Sequence, residues 1–317
     1  MKYSHTIVVC SRDRSLELLE FLEAISSVTY FSNVKIILVE NSASAENYQA
    51  VKVKIDNDSK FREITLIQSP PGLARARNAA LPLISGDIVH FMDDDICLPT
   101  NYFEVVDQTF SNNPQTGGLA PFIQTSAILS ESIIKRLLRH IFQRDGKLLR
   151  SGRARWLSRS GKNYQVNWLP GCCMVYRTSK IQGLRFETKL EKGPLGGYAL
   201  GEDLDFSHRV SKHTKLLGLG EISIFHKLAP NDRTNWIKMD EGIGRLRAFL
   251  LVRFPEEVKI SRVLLSLSLE GLIDLMRIRI TKSKTVSPNY RQFARLRSFF
   301  EELDTPKLGN LENGHED

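Results

Sequence analysis

The 317-residue sequence predicts an α/β protein with a mostly parallel central sheet, flanking helices and a helical C-terminal extension. Three observations lead to that class. Short β-branched runs alternate with helix patterns through the first third of the chain. Those runs are almost continuously apolar, as expected of parallel strands covered on both faces. From Ile237 onward only helix patterns remain.

The predicted strands are Thr6–Cys10, Val34–Val39, Ile64–Ile67 and Asp87–Met92. Between the first two, Ser15 is placed to cap a helix carrying Leu16, Leu19, Leu22 and Ile25 inward. Ser44 starts a second helix, and Gly72-Leu73-Ala74 leads into an alanine-rich third that stops near Pro82. The order βαβαβαβ implies right-handed crossovers. Residues 100–165 are irregular and basic. Strand-like runs return at Gly171–Tyr176 and Ile222–Phe225, and helices are expected over Ile237–Phe254, Glu256–Ile280 and Asn289–Leu303. The polar tail beyond Thr305 is expected to fray.

Composition narrows the class. With 42% hydrophobic and 25% charged residues the chain is an ordinary globular one, long enough for a core without disulfides or structural metal. The longest uncharged stretch, Gln108 to Ser130, holds two prolines and two glycines and cannot form the ~20-residue apolar helix of a membrane span. The apolar run Ile7–Cys10 is too short for an export signal. Cys10, Cys97, Cys172 and Cys173 show no CxxC spacing, so reduced, buried thiols and a cytoplasmic location are expected. The net charge of +8 is uneven: residues 135–162 hold ten Lys/Arg against Asp145, and residues 227–297 hold fifteen against seven acids. That field favours phosphates, anionic lipid or nucleic acid.

Five places carry chemistry. Asp93-Asp94-Asp95 follows a strand, where open parallel sheets bind ligands. Three adjacent carboxylates repel, and a hard divalent cation relieves that; the residues alone also fit a solvated acidic turn. Gly72–Asn78 (GLARARN) offers Arg75 and Arg77 beside a helix N-terminus for a diphosphate, or makes an ordinary loop-to-helix turn. Glu202-Asp203 opens a helix after glycines, as a general base or as acids favoured by the helix dipole. His226 ends the run ISIFH, as a core histidine or a metal ligand. Trp168, before Pro170-Gly171, fits the core or a sugar-stacking platform.

In this order the pieces resemble family 2 glycosyltransferases of GT-A fold, from about residue 5 to 226. Val8–Arg14 is similar to the family's first strand and turn, Val39-Glu40-Asn41-Ser42 to the end of its second strand, and Gly72–Asn78 to its G-x-A-x-A-R-N element. Phe91–Asp95 resembles the DxD metal motif, Trp168–Gly171 with Tyr176-Arg177 the acceptor-side segment, and Gly201-Glu202-Asp203 with Arg209 the ED motif. The resemblance implies an inverting transferase using a nucleotide-diphospho-sugar and Mg²⁺ or Mn²⁺. Asp93, Asp95 and His226 would hold the metal and Asp203, beside Glu202, would be the base. Ser11, Arg14, Glu40, Asn41, Arg75, Arg77, Asn78, Asp93 and Asp94 would contact the donor. It implies a catalytic domain over 1–228, split at about residue 99 into donor and acceptor halves, then helices over 229–305 and a flexible tail over 306–317.

Glu40-Asn41 stands where Asp-Asp or Asp-Asn is commoner, and the QxxRW motif of processive synthases is missing. Transfer of one or a few sugars is therefore expected, to a glycan or lipid-linked glycan in bacterial-type surface polysaccharide or glycolipid synthesis. Ile133–Phe142 (IIKRLLRHIF) is an amphipathic basic pattern that suits either core packing or peripheral contact with an anionic membrane. Two rivals are weaker. A sugar-nucleotide pyrophosphorylase is expected to carry a glycine-rich phosphate loop, and Cys10–Arg14 has no glycine. A non-enzymatic nucleic-acid or membrane binder leaves the acidic motifs unexplained, so no nucleic-acid partner is expected.

Overall fold

A computed structural model describes residues 2–30, 34–42, 45–58, 61, 63–125, 146–157, 161–191, 199–227, 236–281 and 288–304. The pattern at Ile133–Phe142 and the capping residue Ser44 lie outside the described residues. Two compact units form, one from 1–147, 155–187 and 203–229, the other from 148–154, 188–202 and 230–317.

The first unit is built on one curled sheet. Strands β1 (His5–Ser11), β2 (Val34–Glu40), β3 (Ile64–Gln68) and β4 (Ile88–Met92) pair in parallel in the order β3-β2-β1-β4, as their unbroken apolar runs predict. Beyond β4 the sheet becomes mixed. Strand β8 (Cys173–Arg177) lies antiparallel between β4 and β6 (Thr116–Gln124), and β6 runs parallel to β9 (Lys215–His226). Two short strands, β5 (Ile96–Cys97) and β7 (Tyr164–Val166), pair antiparallel with β9. The parallel reading thus holds throughout β3-β2-β1-β4 and again for β6 with β9, while β5, β7 and β8 pair antiparallel.

Helices α1 (Ser15–Ser26), α2 (Ala45–Asn57), α3 (Leu73–Ala80), α4 (Tyr102–Asn112) and α5 (Glu202–Ser211) belong to the same framework. In α1 the buried side chains are Leu18, Phe21, Leu22 and Ile25, while Leu16 is exposed. The expected face, Leu16-Leu19-Leu22-Ile25, steps by three and drifts around a 3.6-residue helix; the observed one steps by three, one and three and stays in register. Ser15 is the first helical residue rather than the cap, a place taken by Arg14 without a side-chain capping bond. Gly72 caps α3 at φ 141°, a conformation L side chains rarely adopt.

A buried polar chain crosses the core of this unit. His5 Nε2 lies 2.9 Å from Asp107 Oδ1, His5 Nδ1 2.8 Å from His90 Nε2, and His90 Nδ1 3.1 Å from the Tyr102 hydroxyl, which lies 3.3 Å from Cys173 Sγ. With Asp107 able only to accept from His5, one direction satisfies every group: Cys173 donates to Tyr102, Tyr102 to His90, His90 to His5, and His5 to Asp107. Burial lowers the proton affinity of both histidines. The unfolded chain then binds more protons than the folded one once pH drops below about 6.5, so their contribution is complete above that pH and is lost on acidification. Asp94 and His226 shift upward and act in the opposite sense over the same range. The discriminating measurement is therefore a difference: between pH 7.5 and 5.5 the melting temperature of His90→Gln should change in a more acid-tolerant direction than that of the wild type. Parallel curves would contradict the assignment.

The second unit contains α6 (Trp236–Arg253), α7 (Ile260–Thr281) and α8 (Pro288–Leu303). Asp240, fully buried on α6, accepts from Nε of Arg291 at 2.7 Å and of Arg295 at 2.6 Å on α8. Arg247 donates to Glu270 of α7 at 2.7 Å. Losing one partner of such a buried pair strands a charge, which costs more than the pair itself contributes. Among the described residues, no helix is long and apolar enough to cross a membrane.

Candidate active site

The site lies at the carboxyl ends of β4 and β9. Asp93, Asp94 and Asp95 form the turn that follows β4, where Asp93 and Asp95 meet His226 and Asp94 meets Ser11. Antiparallel pairing places Ile96 of β5 opposite His226 and so brings the last residue of β9 beside the acidic turn. Lys227 N–H closes the arrangement on the Asp95 carbonyl at 2.8 Å. Ligand atoms of Asp93, Asp95 and His226 fall within 4.8 Å of one another. Two carboxylates and an imidazole at that spacing fit a divalent cation such as Mn²⁺ or Mg²⁺.

His226 Nε2 lies 2.9 Å from Asp95 Oδ1 and 4.0 Å from Asp93 Oδ2. Burial, the largest single influence on Asp95, works against its charge, but His226 and Arg14 together outweigh it and hold the carboxyl down at about 2. The same partnership raises His226 in spite of burial. Asp94 faces inward. Its oxygens take the Ser11 hydroxyl at 2.7 Å and Arg14 Nη1 at 2.8 Å, and burial pushes it up to about 6 against those two partners. Arg14 reaches Asp95 with its other terminal nitrogen at 3.2 Å. In this geometry Ser11 and Arg14 brace the acidic turn from beneath.

The second centre is the peptide of Gly171. Its N–H donates to Asp203 Oδ2 at 2.7 Å, and its carbonyl accepts from Arg77 Nη2 at 3.0 Å. Asp203 Oδ1 accepts from the Leu204 N–H at 2.8 Å, which fixes the carboxylate at the start of α5. Arg77 is buried, lies over the Phe186 ring and comes within 3.7 Å of Asp93 Oδ1. The peptide N–H of Asp93 is bound in turn by the Cys172 carbonyl at 3.1 Å. A Cβ on Gly171 would sit 3.1 Å from Asp203 Oδ2 and 3.3 Å from Arg77 Nη2, tighter than an ordinary contact, so a larger residue would press on both side chains.

The remaining sequence-predicted residues are distributed as follows. Glu40 is fully buried, with Oε1 accepting from the Ser42 N–H at 2.9 Å, and Asn41 binds the Ser11 carbonyl through its own N–H at 2.9 Å. Both stand at the end of β2, beside Ser11 at the end of β1. Arg75 donates to the Pro71 carbonyl at 3.2 Å. Asn78 clamps Phe186 through both its amide atoms, at 2.9 and 2.7 Å. Glu202 is the first residue of α5. Trp168 resolves to the core: it is buried and donates through Nε1 to the Arg155 carbonyl at 2.8 Å. Sequence reasoning missed the Gly171 peptide as the link between Asp203 and Arg77; the signal available was the Pro170-Gly171 pair itself, which marks a tight backbone approach.

Residues 6–160 match the family model described as Glycosyl transferase family 2. No curated protein matches the chain significantly. Among solved structures, the mannosyltransferase PcManGT from Pyrobaculum calidifontis, in complex with GDP-Man and Mn²⁺, superposes with a TM-score of 0.58 at 12% identity, over 98% of this chain and 89% of that one. TarS 1-349 from S. aureus with UDP gives 0.54 at 13% identity, over 98% and 93%. GalNAc-T7 with UDP, GalNAc and Mn²⁺ gives 0.55 at 12% identity, over 80% of this chain and 51% of that one. At such identities the likeness is one of fold, and the fold is the one these three glycosyltransferases share. The fold is thus the GT-A glycosyltransferase fold, and residues 6–160 carry the match to the family 2 glycosyltransferases.

Proposed function

We propose that the protein transfers a sugar from a nucleotide-diphospho-sugar to a hydroxyl acceptor with inversion, using Mg²⁺ or Mn²⁺, in surface polysaccharide or glycolipid synthesis. One observation carries this reading: a carboxylate–imidazole cluster and a fixed aspartate are tied to the two sides of one peptide, Gly171. Two structural neighbours carry Mn²⁺ with a nucleotide or nucleotide-sugar in their own sites, which supports the cation. Asp93, Asp95 and His226 would hold that cation, which when bound supplies positive charge to the departing diphosphate. Asp203, oriented by Gly171 and Leu204, would take the proton from the acceptor hydroxyl as it attacks the anomeric carbon. A single displacement inverts configuration and needs one base. Glu202 flanks that base. Arg77 holds Gly171 and Asp93 in place, and Arg75 stands at the start of α3 for the phosphates. Ser11, Glu40 and Asn41 would line the nucleoside end, with Arg14, Asn78 and Asp94 supporting the donor side. The acceptor is a glycan or lipid-linked glycan. The four unpaired cysteines support a reducing, cytoplasmic setting.

A thermal-shift panel of GDP- and UDP-sugars, each with Mn²⁺, with Mg²⁺ and with EDTA, tests the reading. A ligand that binds only the native state raises the melting temperature. At least one nucleotide sugar should stabilise the protein with metal, and EDTA should remove the effect. No stabilisation by any donor with either metal would overturn the proposal.

A further inference from the structure

The Tyr102 hydroxyl ties together the two strands whose ends build the site. It lies 3.1 Å from His90 Nδ1 and 3.3 Å from Cys173 Sγ, with all three groups buried. His90 belongs to β4, and Cys173 opens β8. In the antiparallel pairing of these strands Met92 stands opposite Cys173 and His90 opposite Val175. Residues two apart on a strand share a face, so His90 and Cys173 are diagonal neighbours on one side of the sheet. Tyr102, the first residue of α4, spans that diagonal. Its helix is held at a second point, because Asp107, also on α4, binds His5 at 2.9 Å and His5 binds His90 at 2.8 Å. The hydroxyl is thus fixed from the helix side as well as from the sheet.

The ladder between β4 and β8 ends at Met92 and Cys173, and the site begins one residue further on. Asp93 follows Met92, and the turn Pro170-Gly171-Cys172 leads into Cys173. The Cys173 N–H closes that turn on the Pro170 carbonyl at 3.1 Å. The Cys172 carbonyl accepts from the Asp93 N–H, and the Gly171 peptide binds Asp203 on one side and Arg77 on the other. Gly171 has no side chain and Pro170 no N–H, so a polar grip on the turn falls to the residues after them. Cys173, through its thiol, provides one.

We infer that Tyr102, acting through Cys173, is a positioning residue for sugar transfer: it holds the Gly171 turn against the end of β4, so that Asp203 and Asp93 keep their mutual placement. The inference rests on the transfer reading above. A displacement of about 1 Å at reacting groups can cost ~10²-fold, and with the backbone ladder intact the loss of this one tie is expected to cost about tenfold. The test measures kcat and donor KM for transfer, with melting temperatures, in Tyr102→Phe, Cys173→Ala, Cys173→Ser and, as a destabilised control on the same helix, Val106→Ala. Assays run well below every melting temperature. Tyr102→Phe and Cys173→Ala should each lower kcat about tenfold and change donor KM less than twofold. Cys173→Ser keeps a hydroxyl that can donate to Tyr102 and should retain most of the wild-type kcat. Val106→Ala should melt earlier and turn over as the wild type does. Wild-type kcat in Tyr102→Phe overturns the inference. So does a Cys173→Ser as slow as Cys173→Ala, and so does a loss in Val106→Ala equal to that of Tyr102→Phe, which makes the effect one of stability alone. A wild type that shows neither donor-induced stabilisation nor transfer overturns the transfer reading, and this inference with it.

Discussion

Asp203→Asn should leave the fold and donor binding as in the wild type and lower sugar transfer by about 10²–10⁴-fold, the usual cost of losing a general base. The substitution keeps shape and removes basicity. The carboxylate takes two backbone donors, Gly171 N–H on Oδ2 and Leu204 N–H on Oδ1, whereas an amide has one oxygen and can keep only one of them as acceptor. A small loss of stability from the other is therefore expected alongside the large kinetic one. A donor-binding titration run beside a transfer assay separates the two. Transfer at the wild-type rate would move the base to another residue.

Asp95→Ala should be nearly as severe. Metal-borne charge stabilisation is worth several kcal/mol in such reactions, so a loss on the order of 10³-fold in transfer is expected. Asp95 also pairs with His226 and Arg14, and Arg14 keeps Asp94 as a partner when Asp95 is gone, so the turn retains an anchor. The protein should remain folded, and Mn²⁺ titrations should show weakened binding. Chelator should reproduce the loss in the wild type, and Mn²⁺ or Mg²⁺ should restore it there but not in Asp95→Ala. Full transfer in EDTA would remove the cation from the mechanism.

Much of this site could be read before any coordinates, and the reasons are local. Asp93 and Asp95 follow an apolar strand, Asp203 opens a helix pattern after glycine, and strands β1 to β4 are unbroken apolar runs. What escaped depends on contacts distant in sequence. Strand β6 reads TGGLAPFIQ, with glycines and a proline that argue against a strand, yet eight of its nine residues are buried. Gly117 and Gly118 are there because Thr214 and Tyr176 occupy the space a side chain would need. Pro121 is tolerated because the pairing with β9 slips at that point, from Leu219 to Ser223. In β9, Gly218 faces Tyr164, so the strand extends well before the predicted Ile222. Arg77 read as a phosphate ligand from its charge and its place near a helix start; the structure ties it to Gly171, a partner that no spacing rule announces.

The short strand β5 has a consequence for how activity is acquired. In the sheet, three strands (β8, β6 and β9) lie between β4 and β5, yet β5 follows β4 closely in the chain and its pairing with β9 brings His226 to the acidic turn. Asp93, Asp95 and His226 are thus brought together from positions far apart along the chain, joined across the β5–β9 pairing of a mixed sheet. Contacts of high sequence separation are slow to form, because chain entropy must be surrendered before they repay it. The amino-terminal strands can therefore be in place while the protein is still catalytically silent. Recovery of turnover on refolding should therefore lag recovery of the amino-terminal strands, and a cation bound by Asp93, Asp95 and His226 would hold the two ends of that pairing together.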